Sequence, residues 1–158
     1  MDFYENYEIN GSNFQRVVWL NINGFGWPKI KDFQRYCLGS EKAIERLSQA
    51  SSMSNCHLIC ACVNNFPIGY CSIVFIDEEF GRCVTFAIDY VYINEFYRSR
   101  GYSRAMAEEA VRLIDDYAKI KRVSELVDMS HTVSLEGSYF SSIRINGLRD
   151  LGYRVNNG

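Results

Sequence analysis

Ile88-Asp89-Tyr90-Val91-Tyr92-Ile93-Asn94-Glu95-Phe96-Tyr97-Arg98-Ser99-Arg100-Gly101-Tyr102-Ser103 is the stretch on which the fold of this chain turns. Apart from Asp89, its first six residues are β-branched or aromatic, and they end a run (82–93) that predicts a long strand. A short loop follows and closes as Arg-x-Arg-Gly-x-Ser. Beyond it, Met106, Ala110, Leu113 and Tyr117 recur at four-three-four spacing. Ala107, Val111, Ile114 and Ala118 run beside them, and Glu108, Glu109, Arg112, Asp115 and Asp116 fill the opposite side. That pattern predicts an amphipathic helix over 103–119. The first turn of a helix carries N–H groups without intrahelical partners, and the helix dipole adds positive charge there. Gly101 lets a phosphate approach the backbone, and Arg98 and Arg100 add charge, so residues 98–103 can cradle a pyrophosphate. A plain loop leading into a capped helix is the alternative that these residues alone leave open.

Upstream, residues 57–63 are almost wholly apolar, as a strand buried on both faces is. Asn64-Asn65 reads as a turn, 68–76 as the return strand, and 77–81 as a second turn. Ser40 caps a helix over 41–49 with Ala43, Ile44 and Leu47 on its apolar face. Pro28 opens another helix, with Ile30, Phe33 and Tyr36 on one side. Before it, Gly11-Ser12-Asn13 reads as a turn, and Phe14, Val17, Val18 and Ile22 fall at helical spacing up to Gly24 and Gly26. Tyr7-Glu8-Ile9 reads as a first short strand. Downstream come a strand over 125–129, a helix over 138–151 stopped by Gly152, and a last strand at Tyr153-Arg154-Val155. The expected fold is a mixed α/β (α+β) arrangement: one central mixed, mostly antiparallel sheet flanked by helices. With 158 residues the chain is expected to form a single domain over 1–158.

Composition narrows the function. A net charge of −2 argues against a general nucleic-acid binder, which presents a basic face. No apolar run is long enough to span a bilayer, and the start of the chain lacks the basic and apolar parts of a signal peptide. A cytoplasmic protein without a membrane partner is expected. Cys37, Cys56, Cys60, Cys62, Cys71 and Cys83 show no metal-ligand spacing, so they read as reduced thiols and no metal is expected.

Arg98-Ser99-Arg100-Gly101-Tyr102-Ser103 resembles the acyl-CoA-binding motif of the GNAT acetyltransferases, Arg/Gln-x-x-Gly-x-Gly/Ala. Arg98 matches the first position and Gly101 the central glycine, while Ser103 stands where the family has Gly or Ala. Pro67-Ile68-Gly69-Tyr70 and Leu148-Arg149-Asp150-Leu151-Gly152-Tyr153 are similar to two further family segments. In element order the resemblance covers nearly the whole chain.

The resemblance implies an N-acetyltransferase with acetyl-CoA (acyl-CoA) as co-substrate and an amine, of a small molecule or a protein, as acceptor by direct attack. It implies that Val91, Tyr92 and Ile93 contact the pantetheine arm through main-chain groups, one N–H polarising the thioester carbonyl. It implies that Arg98, Ser99, Arg100, Gly101, Tyr102 and Ser103 hold the pyrophosphate. Asp89, the one charge inside an apolar strand, is the candidate base, and alternation sets it on the face of Val91 and Ile93. A structural Asp paired with an Arg is the other reading. Leu148 occupies the family's usual acid position and Ser141 that of an Asn. Tyr139 is the first substitute acid, ahead of Ser141, Ser142 and His131. The acidic turn at Asp77-Glu78-Glu79 suits a cationic acceptor or is a solvated tip. Trp19, Phe25 and Trp27 either line an acceptor pocket or pack in the core. Leu148 keeps open a non-catalytic acyl-CoA-binding or protein-interaction domain. The net charge counts against a toxin acting on aminoacyl-tRNA. A homodimer is left open.

Overall fold

The computed structural model describes residues 3–9, 15–23, 40–53, 55–63, 66–76, 81–131 and 135–157. Seven strands form one sheet in chain order: β1 (Phe3–Ile9), β2 (Gln15–Asn23), β3 (Cys56–Val63), β4 (Phe66–Ile76), β5 (Val84–Ile93), β6 (Glu125–Asp128) and β7 (Arg154–Asn157). Each of the first four is antiparallel to the next, whereas β5–β6 and β6–β7 are parallel. Helix α1 (Glu41–Ser51) precedes β3, α2 (Tyr102–Lys121) joins β5 to β6, and α3 (Leu135–Asp150) joins β6 to β7.

The predicted helix through Val17, Val18 and Ile22 is instead strand β2. It pairs with β1 from Phe3↔Asn21 to Ile9↔Gln15, and with β3 from Val17↔Val63 to Asn23↔His57. The physical reason lies in the residues: Val17, Val18, Trp19 and Ile22 are β-branched or aromatic, and with Leu20 they form an apolar run that fits a pleated surface as well as a helix. A partner strand on each side then pairs with it, over 15–21 toward β1 and 17–23 toward β3, and tertiary pairing outweighs the helical spacing. The predicted helix from Pro28, the turns at 11–13 and 64–65, and residues 77–80 lie outside the described residues, as do Phe25 and Trp27.

Elsewhere the elements follow the periodicity. Ser40 caps α1, its side chain accepting from Ala43 N at 3.2 Å. α3 ends before Gly152, which adopts φ +97° and donates its N–H to Arg149 O at 2.9 Å. β3 is buried on both faces. Ile59, Ala61 and Val63 pack with Met106, Ala110 and Ile114 of α2 and with Phe140 and Leu148 of α3. Leu58 and Cys60 pack with Tyr70, Tyr92 and, from α1, Ala43 and Leu47. Tyr70 Oη donates to the Ala43 carbonyl at 2.5 Å, tying α1 to its face. The two helices on the other face meet where Gly147 leaves room for Val111; a Cβ there would lie 3.0 Å from Val111 Cγ2.

Cys56, Cys60, Cys62 and Cys71 are buried and, among the described residues, form no disulfide. Burial pushes Cys56 up to about 12 and Cys62 up to about 11, which leaves them unreactive. No described helix is long and apolar enough to cross a membrane.

Candidate active site

The parallel ladder between β5 and β6 covers three pairs and ends at Phe86↔Asp128. Beyond it β5 continues to Ile93, and among the described residues no strand lies against it on that side. Which groups line this open edge is set by a bulge. Ser72 pairs with Tyr90 and Ile73 with Ile88, so Asp89 is an extra residue. The bulge switches the faces. Val84, Phe86 and Ile88, then Val91 and Ile93, join the core beneath α2 and α3, whereas Tyr90 and Tyr92 join the α1 side.

This corrects the expectation that Asp89 shares a face with Val91 and Ile93, because strict alternation does not survive an inserted residue. The carboxylate of Asp89 is engaged from α1: Arg46 Nη2 donates to Oδ1 at 2.9 Å and to the Asp89 carbonyl at 3.1 Å. Ser72 Oγ lies 3.4 Å from Oδ2. The Arg46 guanidinium also sits 5.8 Å from the Tyr90 ring centroid. Asp89 is 17% exposed and Arg46 38%, so the pair is only partly shielded.

Asn94 N–H donates to Ile68 O across to β4 at 2.7 Å. By alternation the main-chain groups of Tyr92 and Tyr90 also face β4, and those of Val91 and Ile93 face the open edge. Tyr92 was expected to line that edge as well. Its main chain is instead turned to β4 and its side chain is buried beside Tyr70, ring centroids 6.2 Å apart. Gly69 explains the close approach of the two strands: a Cβ there would run into the Tyr92 carbonyl oxygen and come within 2.9 Å of Ile93 Cδ1.

After β5, Asn94 Oδ1 accepts from Phe96 N at 3.0 Å and starts a short 3-10 turn over Glu95–Tyr97. Ser99 (φ +60°) and Gly101 (φ +88°) are both left-handed, and no side chain caps the N-terminus of α2. Its N-cap residue, Gly101, brings no side chain to the first-turn N–H groups. Arg98 Nε donates to Ile93 O at 2.8 Å and staples the loop to the strand end. The Arg100 guanidinium lies 5.7 Å from the Tyr97 ring centroid at the surface. The side chain of Tyr102 is buried beneath the loop, and burial pushes its phenol up. Ser103 lies in the first turn of the helix.

On the β6 side, Tyr139 stands on the first turns of α3 and is 53% exposed. His131 is exposed in the segment after β6. Leu148 is wholly buried in the core, so no acid occupies that position. Asp128, Ser130 and Arg144 form a polar cluster where β6 ends: Arg144 Nη2 lies 2.8 Å from Asp128 Oδ2, and Asp128 Oδ1 accepts from Ser130 N at 2.9 Å. The sequence reading missed this cluster. Its signal was a charge at Arg144, four residues from both Phe140 and Leu148 on the buried stripe of α3. Among the described residues, no group of three His, Cys, Asp or Glu could hold a metal ion.

The motif strand thus outruns its parallel neighbour and feeds a helix that starts on glycine. The chain belongs to the Acetyltransferase (GNAT) family, which it matches over residues 19–136. No curated protein sequence matches it. Among solved structures it resembles a ribosomal-protein-alanine N-acetyltransferase from Brucella melitensis biovar Abortus 2308, at 15% identity and TM-score 0.56, covering 80% of this chain and 88% of that one. It also resembles an aminoglycoside acetyltransferase, meta-AAC0020, from an uncultured soil metagenomic sample in complex with sisomicin, at 12% identity and TM-score 0.53, covering 81% and 86%. A third is AtaTR bound with AcCoA, at 13% identity and TM-score 0.55, covering 72% and 74%. At these identities the likeness is one of fold.

Proposed function

We propose that the protein is an N-acyltransferase that moves an acetyl group from acetyl-CoA to an amine by direct attack. The observation that carries this reading is the edge of β5 beyond its ladder with β6, leading into a helix that starts on a left-handed glycine. A diphosphate suits the helix start: left-handed Gly101 puts no side chain in its way, and the dipole, Arg98 and Arg100 supply positive charge. An amide-bearing pantetheine arm suits the strand edge, pairing with Val91 and Ile93 as an added strand does.

In this reading the Val91 N–H points at the thioester carbonyl and stabilises the oxyanion that forms there. The amine nitrogen attacks the carbonyl carbon, the carbon–sulfur bond breaks, and the thiolate leaves. Asp89 takes the amine's proton on Oδ2, the oxygen that Arg46 does not hold, directly or through a water. Tyr139 donates the proton that the thiolate takes up. A simple thiol has a pKa of about 8.5, so the departing sulfur depends only weakly on that acid. The acceptor is an amine of a small molecule or of a protein, and the solved relatives include an aminoglycoside enzyme and a ribosomal-protein-alanine enzyme.

Leu148 favours a second reading, a domain that binds acyl-CoA without turning it over. Calorimetric titration with acetyl-CoA, beside Gly101→Val, tests the first part. Binding at about micromolar Kd, lost when a β-branched residue is forced to the positive φ of Gly101, supports the cradle. Absence of binding to acetyl-CoA, longer acyl-CoAs and free CoA overturns it. Thiol release over a panel of amines tests the second part, and binding without transfer selects the non-catalytic reading.

A further inference from the structure

An open edge on β5 requires the β5–β6 ladder to stop at a defined place. In a continued parallel ladder, the bond from Met129 N–H to Phe86 O, 2.8 Å long, would be followed by Ile88 N–H donating to the Met129 carbonyl. Ile88 N–H donates instead to Ser130 Oγ at 2.7 Å. A side-chain oxygen thus takes the last ladder position, and the β5 donor is satisfied although the β6 backbone has turned away. Asp128 makes that turn: its Oδ1 accepts from Ser130 N, as Asp does in an Asx turn. Its Oδ2 is held by Arg144 of α3, whose Nε donates at 2.9 Å. Both side chains of the pair are nearly inaccessible, at 3% and 2% exposed. Arg144 Nη2 also donates to Ser141 Oγ at 3.3 Å. An apolar pair of the same volume would hold α3 on the sheet without the desolvation that a buried ion pair costs. It would not aim an oxygen at Ser130.

We infer that Ser130, Asp128 and Arg144 are positioning residues that set where β5 and β6 part, and with it the entry for the pantetheine arm. The inference rests on the acyl-CoA reading above. None of the three is assigned contact with reacting atoms. Arg144 orients Asp128, Asp128 turns the chain and presents Ser130, and Ser130 ends the ladder at Ile88. Without the Ser130 hydroxyl, Ile88 N–H pairs with the Met129 carbonyl, and the ladder closes one step further toward Val91.

The test compares two ligands by calorimetry. Coenzyme A carries the arm, whereas 3′-phosphoadenosine 5′-diphosphate carries the phosphates alone. Ser130→Ala is expected to weaken coenzyme A binding about tenfold, the scale of one hydrogen bond, and to change nucleotide binding less than about twofold. Ser130→Thr, which keeps the hydroxyl, restores the wild-type ratio. Equal loss for both ligands, or loss for neither, overturns the inference while leaving the acyl-CoA reading intact. Wild-type protein that binds neither ligand overturns that reading and the inference with it. Arg144→Met is expected to repeat the Ser130→Ala pattern; should it fail to fold, the two Ser130 variants still decide.

Discussion

At Gly69 the position of a side chain is already taken by the neighbouring strand, since a Cβ would meet the Tyr92 carbonyl oxygen and Ile93. Ile93 Cδ1 can turn aside, but the Tyr92 oxygen and the Ile93 Cα at 3.1 Å are backbone, so Gly69→Ala forces β4 and β5 apart. We expect a loss of about 1–3 kcal/mol, the usual scale of overpacking, read as a lower urea midpoint. An unchanged midpoint would show that the strands separate freely. Asp89 poses a different question, because the ion pair with Arg46 accounts for its burial without any chemistry. Asp89→Asn keeps the shape and removes the proton-accepting charge. As a base, Asp89 contributes about 100-fold or more to turnover, so the variant is expected to lose that much while acetyl-CoA affinity holds. Steady-state kinetics beside calorimetry separates the two, and unchanged turnover reduces Asp89 to a structural partner of Arg46.

Two elements meet at Tyr153, just before β7, whose hydroxyl donates to Asp115 Oδ1 of α2 at 2.5 Å. Burial, then the Asp115 carboxylate, pushes the Tyr153 phenol up to about 12. The folded state therefore holds this proton more tightly than the unfolded chain, whose phenols titrate near about 10. That contribution is complete below about pH 10 and is lost as pH rises toward 12. Asp115 behaves in the opposite sense. Burial alone would raise its carboxyl, but the bonds from Tyr153 and Lys119 outweigh burial and hold it below the usual range. Its contribution is present above about pH 4 and is lost as pH falls through the lowered value. Tyr153→Phe is expected to cost about 1 kcal/mol at neutral pH, with the gap to wild type closing as the medium turns alkaline. Urea unfolding at pH 7 and at about pH 11 checks it, and a pH-independent gap would mean that the phenol does not titrate against Asp115. At this scale much was legible in the sequence. Val84, Phe86, Ile88, Val91 and Ile93 are spaced two, two, three and two; the single step of three marks the bulge at Asp89, which a reading by strict alternation passes over. The motif at 98–103 was readable because turn, charge and helix start are local. β2 was not, because a run of branched and aromatic residues takes its state from the strands beside it. Nor was the Asp128–Arg144 pair, whose partners are 16 residues apart and meet only once α3 has docked.

The whole molecule is one sheet whose two parts are joined by a short seam. An antiparallel part, β1 to β5, meets a parallel part, β5 to β7, through the three pairs from Val84↔Leu126 to Phe86↔Asp128. The packing of α2 against α3 beneath the sheet reinforces the seam. A ligand lying along the open edge of β5 would add backbone bonds where the sheet has fewest. It would bind the folded state only, because the edge does not exist in the unfolded chain. Mass action then predicts a stabilisation of about 2.7 kcal/mol at a hundred times Kd. For a chain of this size that raises Tm by about 5–10 °C. Acetyl-CoA should also slow amide hydrogen exchange selectively, at residues 86–93 and 98–104 on one side and 128–131 on the other. β3 and β4, already paired along both edges, should exchange as before. Protection confined to 98–104 would place the nucleotide at the helix start but leave the arm off the strand. Protection spread evenly over the sheet would indicate general tightening rather than a bridge across the seam, and the proposed path of the arm along Val91 and Ile93 would have to be abandoned.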